Sequence, residues 1–254
     1  MNKSVFLLVL LVFLYSCSDK NSTSPTKFEI QPKSLHSYWI YENYDIDSNN
    51  IEKNANNYDS VVVSGQKTLL DKLGTIFLAT SKNYNGQELG TSEYYSYEEN
   101  QKLYMHSSRF NQFFSGEGLS GLPFTFKEQW VKVADINDDD WKAYEDEIPE
   151  TSFMGLGTIS GKLLITGEIK GKKDFLLNNK KYQAYEFYLN VSFNGNLKFQ
   201  QAPIPVNLNF DQKIYIQFVN GIGLVQQINK PTKVQLLGFT APGSKSVLTK
   251  YLIK

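Results

Sequence analysis

Apolar and polar residues alternate along most of this chain with a period of two, the mark of β-strands that bury one face. From Tyr185 to Phe193 the odd positions are Tyr, Phe, Leu, Val and Phe, with Glu186, Asn190 and Ser192 among the residues between them. The same period predicts strands over Tyr38 to Tyr44, Ser60 to Leu70, Thr75 to Tyr84, Ser92 to Tyr97 and Lys102 to His106. In the second half it predicts strands over Ile159 to Ile169, Val206 to Phe210, Ile214 to Val219, Leu224 to Ile228, Val234 to Leu237 and Val247 to Ile253. Turn chemistry separates them: Asn85-Gly86, the polar stretch Glu98 to Gln101, and Asn194-Gly195 are each suited to reversing the chain. Pro203 and Pro205 belong at a sheet edge or a strand entry, since proline cannot donate to a ladder.

Three stretches break the alternation. Residues 5 to 14 form an unbroken apolar run, and residues 18 to 27 are polar, contain Pro25 and show no periodicity, as expected of a flexible tether. Between the two strand-rich halves, residues 135 to 150 carry eight acidic residues and one lysine. Trp141, Tyr144 and Ile148 stand there at helical spacing, with Asp138 or Asp139 placed to cap a first turn, so a short amphipathic helical insert lying on the sheet is expected. Alternating strands with one or two short helices indicate an all-β antiparallel sandwich, barrel or half-barrel, built as one large domain over residues 28 to 254.

The apolar run is too short to span a bilayer as a helix, and Lys3 before it supplies the basic head of an export signal covering residues 1 to 16. Its end, Leu14-Tyr15-Ser16-Cys17, resembles the lipobox of bacterial membrane lipoproteins, although Tyr15 stands where a smaller residue is usual. The resemblance implies cleavage before Cys17, a diacylglyceryl group on its sulfur and an acylated amino group, hence a palmitate-type lipid anchor in the bacterial cell envelope, on a periplasmic or outer-membrane face. Cys17 is the single cysteine of the chain, so no disulfide braces the fold. Three acyl chains exceed the two that suffice for stable membrane attachment.

Composition narrows the partners. The 26 basic and 26 acidic residues cancel, and Arg109 is the only arginine, which argues against nucleic-acid recognition. Aromatic residues make up 14% of the chain and need burial or a partner. Trp39 and Tyr41 point one way on their strand while Tyr38 and Tyr44 point the other, and Tyr95 and Tyr97 oppose Tyr94. A sheet with one wet face alternates more cleanly, so the second face should be covered or line a groove. Trp39, Tyr41, Tyr95, Tyr97 and Trp130 are the candidate ligand-facing aromatics.

No motif carries catalysis. Gly116 to Gly121 spells G-x-G-x-x-G, but Pro123 and an alternating stretch follow it instead of the helix a dinucleotide needs. Ser64 and Lys67 have S-x-x-K spacing on a strand leading into a Ser-Gly turn, where a helix is required. Asp135, Asn137 and Asp139 open like a calcium loop, but Asp140 occupies the place of its glycine. His36 and His106 are far apart, no zinc site can be completed, and no pair of carboxylates is singled out for glycoside hydrolysis. The expectation is a non-enzymatic envelope lipoprotein without a cofactor, binding an apolar ligand or another envelope protein through its β domain, loosely similar in architecture to half-barrel lipoprotein carriers. A carbohydrate-binding or carbohydrate-active lipoprotein is the alternative, and a purely structural role is the third.

Overall fold

The computed structural model describes residues 28–110, 126–153, 155, 157–201, 204–234 and 238–254. The expected export signal, Cys17, the expected tether and the segment 116 to 121 lie outside the described residues. In chain order the strands are β1 (Tyr38–Ile46), β2 (Glu52–Leu69), β3 (Lys72–Asn83), β4 (Glu88–Glu99), β5 (Lys102–His106), β6 (Trp130–Asp135) and β7 (Asp140–Phe153). There follow β8 (Gly157–Leu177), β9 (Lys180–Phe199), β10 (Val206–Val219), β11 (Gly223–Asn229), β12 (Thr232–Val234), β13 (Phe239–Ala241) and β14 (Gly243–Leu252). Twelve of them form one antiparallel sheet in the order β6-β5-β4-β3-β2-β1-β14-β11-β10-β9-β8-β7, and β12 pairs with β13 alone. Among the described residues helical geometry is confined to residues 108–110.

The sheet curls until its two end strands nearly meet. Side chains close the gap in place of a ladder: the Trp141 indole on β7 donates to the Lys132 carbonyl of β6 at 2.8 Å, and the Tyr144 hydroxyl accepts from the Lys127 amide at 3.0 Å. Inside lie two apolar clusters. One is built from β5 to β10, with Leu103, Val133, Ile165, Phe187 and Phe218 at its centre. The other gathers Trp39, Val61, Val63 and Phe77 of β1 to β3 with Leu248 of β14.

Hairpin chemistry sets the register. Leu70-Asp71, Asn100-Gln101 and Asn178-Asn179 each hold two consecutive residues at positive φ, as in the two-residue turns whose twist matches that of the strands they join. Asn194-Gly195 does not turn the chain. It runs inside β9, where a Cβ at position 195 would stand 2.2 Å from the Ser160 carbonyl oxygen and 2.5 Å from the Phe193 ring, so the glycine permits close strand packing. Ser64 is likewise no turn but a point where the register of β2 against β3 shifts, and β2 continues to Leu69.

The helix expected within residues 135 to 150 is replaced by β7. Trp141, Tyr144 and Ile148 are all buried, as their spacing suggested, but on a strand. A register shift between Lys142 and Tyr144 moves the inward set from odd to even positions. That bulge turns a spacing of two into three and so imitates a helical stripe. Trp141 lies over Gly167 of β8, where a Cβ would be 2.1 Å from the indole.

Candidate functional site

The inward faces of the strands on one side of the barrel change character from one end to the other. On β2 the inward sequence runs Val63, Val61, Asp59, Asn57; on β3 it runs Phe77, Ala79, Ser81; on β14 it runs Leu248, Ser246, Ser244. On β1 it runs Trp39, Tyr41, Asn43. Because opposite residues in an antiparallel pair share a face, these positions align into rows across the sheet. The apolar rows form a floor and the polar rows surround a hollow of about 350 Å³.

The polar wall is tied together before any ligand arrives. Asn43 donates to the Asn57 side-chain oxygen at 2.6 Å and accepts from the Ser246 hydroxyl at 2.6 Å. Gln227 donates to Asn229 at 3.0 Å, and Asn229 donates to Ser244 at 2.8 Å. Ser81 donates to the Asp59 carboxylate. Each amide and hydroxyl has more hydrogen-bonding capacity than one such bond uses, and these residues are half-buried, leaving edges that face the hollow.

Two buried tyrosines and the sole arginine complete it. The Tyr41 hydroxyl donates to the Leu224 carbonyl at 2.9 Å. The Arg109 guanidinium lies over the Tyr94 ring, 4.7 Å from its centroid, and Tyr94 stacks on Phe77 with centroids 5.1 Å apart. Burial pushes the Tyr94 phenol up to about 12; nearby Arg109 opposes that shift and Asp59 adds to it. Burial likewise raises Tyr41 well above the ordinary phenol range, with Tyr94 and Asp59 adding to the effect. Both phenols are therefore neutral donors at physiological pH. Next to the hollow, sharing Tyr94, Arg109, Leu224 and Gln227, is an apolar space of about 30 Å³ walled by Met105, Phe110, Val133, Leu189 and Ile216, room for a water or two.

The five aromatics singled out by sequence do not gather at one site. Trp39 is fully buried in the floor, its indole donating to the Ile222 carbonyl at 2.6 Å, and of the five only Tyr41 borders the hollow. Tyr95, Tyr97 and Trp130 lie on the outer face of β4 to β6. There Tyr97 stacks on Tyr104 with centroids 4.6 Å apart, and Trp130 meets Tyr97 edge-on at 4.8 Å. The Trp130 indole donates to the Leu69 carbonyl at 3.2 Å and its ring covers Gly74, so the second face of this region is covered by the curled β2–β3 hairpin. His106 is buried beside Trp130 and bonds Ser108 through Nδ1 at 2.9 Å. Among the described residues no cluster of three or more His, Cys, Asp or Glu residues could hold a metal ion. Asp135 is instead held by Lys132 at 2.8 Å and Lys102 at 3.3 Å.

Sequence reasoning missed Asn43, Asn57, Asp59, Ser81, Gln227 and Ser246. The signal was present as a loss of apolarity at one end of five predicted strands or in the residues just before them, but only the strand order shows that these ends adjoin.

No family model matches the sequence, and no curated protein matches it. The chain is similar in fold to a crystal structure of a candidate lipoprotein from Parabacteroides distasonis, with 12% identity and a TM-score of 0.50 over 89% of this chain and 99% of that one. A candidate exported protein with a YmcC-like fold from Bacteroides fragilis aligns with 10% identity and a TM-score of 0.48, covering 89% of this chain and 99% of that one.

Proposed function

We propose that this protein is a lipid-anchored component of the bacterial cell envelope whose β domain is a non-enzymatic binder of hydroxyl-rich ligands of the saccharide class. The observation that carries the reading is the hollow itself: a tyrosine-floored concavity walled by paired amides, hydroxyls and the carboxylates of Asp45 and Asp59. Such groups donate and accept at once, as sugar hydroxyls require, and the tyrosines add apolar rings with hydroxyl oxygens that accept. The volume lies at the small end of ligand sites. Carriage of an apolar ligand has less support, because the apolar space beside the hollow holds little more than water.

The anchor rests on the export signal ending at Cys17, and the Parabacteroides protein that shares the fold is itself described as a candidate lipoprotein. The domain begins at the end of the barrel away from the hollow's mouth. The Glu29 amide donates to Asn220 at 2.8 Å and the Ile30 amide to Glu98 at 3.0 Å, beside the β10–β11 and β4–β5 turns. The polar rows run toward the β1–β2 and β3–β4 turns at the opposite end. A lipid on Cys17 would hold the closed end toward the membrane and leave the mouth facing the aqueous side.

Two measurements test this. Fractionation of cells making the full chain should find it in the membrane, and Cys17→Ser should release it or leave it uncleaved; membrane retention of a correctly cleaved Cys17→Ser protein would overturn the anchor. Titration of the detergent-solubilised protein against a panel of neutral and N-acetylated saccharides should show binding that Asn43→Leu weakens about tenfold or more, since the change removes wall hydrogen bonds and strands the Ser246 hydroxyl. A panel without a binder would overturn the saccharide reading.

A further inference from the structure

The wall of the hollow does not end at its mouth. Tyr44 borders the hollow, and its hydroxyl donates to Glu42 on the outer surface of β1 at 2.8 Å. Glu42 lies opposite Tyr58 in the β1–β2 register, and the Tyr58 ring faces Tyr84 with centroids 6.2 Å apart. Tyr84 follows β3 directly, at the turn beside the mouth, and is 56% exposed. Glu42 raises the phenols of both Tyr44 and Tyr84, which places the three residues in one neighbourhood. Tyr44 is thus shared between an enclosed polar site and an open tyrosine strip.

Resting on the saccharide reading of the hollow, we propose that the site takes the end of an oligosaccharide chain, one terminal unit sitting in the hollow and the following units crossing Tyr44 onto Tyr84 and Tyr58. The hollow is too small for a polymer and is backed by Tyr41, Val61, Ala79 and Tyr94, so a chain enters end-on. The strip outside has what the next units need: the exposed Tyr84 ring and the half-buried Tyr58 and Tyr44 rings to stack on, with Glu42 and Lys245 beside Tyr44 as hydrogen-bonding partners. Contacts made by later units follow the first without a second loss of translational freedom, so affinity should grow with chain length until the strip is covered.

The test uses the full detergent-solubilised protein and a length series, from one to six units, of whichever saccharide in the panel binds. The expected result is an affinity gain of about tenfold between one unit and three or four, then a plateau. Tyr84→Ala should abolish that gain while leaving single-unit binding and the melting temperature unchanged, because the ring is exposed. Equal affinity for one unit and four, with Tyr84→Ala silent, would overturn the strip and leave the hollow standing. Length-dependent binding that Tyr84→Ala weakens and Asn43→Leu does not would place the ligand on the strip alone and overturn entry into the hollow. Absence of any saccharide binding would overturn both readings.

Discussion

At the scale of single residues, the hollow depends on phenols that stay neutral because burial disfavours their charge. For Tyr94 the folded protein holds the proton up to about pH 12, whereas an unfolded tyrosine releases it near pH 10. The folded state therefore binds more protons between those values, and stability must fall as pH rises through them. The contribution is fully present below about pH 10 and is lost by about pH 12, amounting to roughly 2–3 kcal/mol for Tyr94. Buried Tyr41 adds to the loss in the same direction. Thermal melts taken across this range should show a steep alkaline decline coincident with tyrosinate absorbance, and Tyr94→Phe should blunt it. A wild-type melting temperature that stays flat up to pH 12 would contradict the burial of these rings.

At the scale of elements, the connection from β6 to β7 concentrates the acidic residues. Burial pushes the Asp135 carboxyl up, but Lys132, the Asn137 amide and Lys102 outweigh it and hold the group below the usual carboxylate range. This contribution is present above about pH 4 and is lost as pH falls below it. Asp135→Asn leaves Lys132, only 16% exposed, without its buried counter-charge, and should cost about 3 kcal/mol in chemical unfolding. Because the Asp135 oxygens are engaged by lysines and the Asn137 amide, added calcium should not raise the melting temperature. A calcium-dependent rise of several degrees would make this connection a metal loop. The neighbouring strand β7 guards its free edge with Pro149 and a run of acids, which blunts pairing with another chain.

At the scale of the whole molecule, the chain closes its sheet with its last strand. Strand β14 lies between β1 and β11, more than 190 residues from one and close in sequence to the other, and it supplies Leu248 to the floor and Ser246 to the wall. Pairing the ends of the chain is entropically costly, so refolding should be slow for a domain of this size. Deleting residues 243 to 254 would leave β1 and β11 with facing unpaired edges in mid-sheet. The shortened protein should lose its cooperative unfolding transition in circular dichroism and be cleaved rapidly by protease. Retention of a sharp transition would mean that the two sides of the barrel fold independently of this closure.

Period-two alternation in segments such as Tyr185 to Phe193 determined the strands and the all-β class, because which face of a strand is buried is a local property of the pattern. Asn100-Gln101 was legible for the same reason, as a turn whose polar residues tolerate positive φ. The bulge in β7 was not, since an inserted residue makes Trp141 and Tyr144 look three apart on a helix, and only the ladder with β8 reveals the shift. Nor could the sequence say that Gly195 serves close packing against Ser160 and not a turn. The hollow itself was decided by strand order: Asn57, Asn43, Ser246 and Gln227 come from four strands, with Asn43 and Ser246 separated by 203 positions, and each alone is an ordinary polar residue on a strand. They become a site because non-local pairing sets them side by side, and the long-range hydrogen-bond register that does so leaves no mark within any one segment.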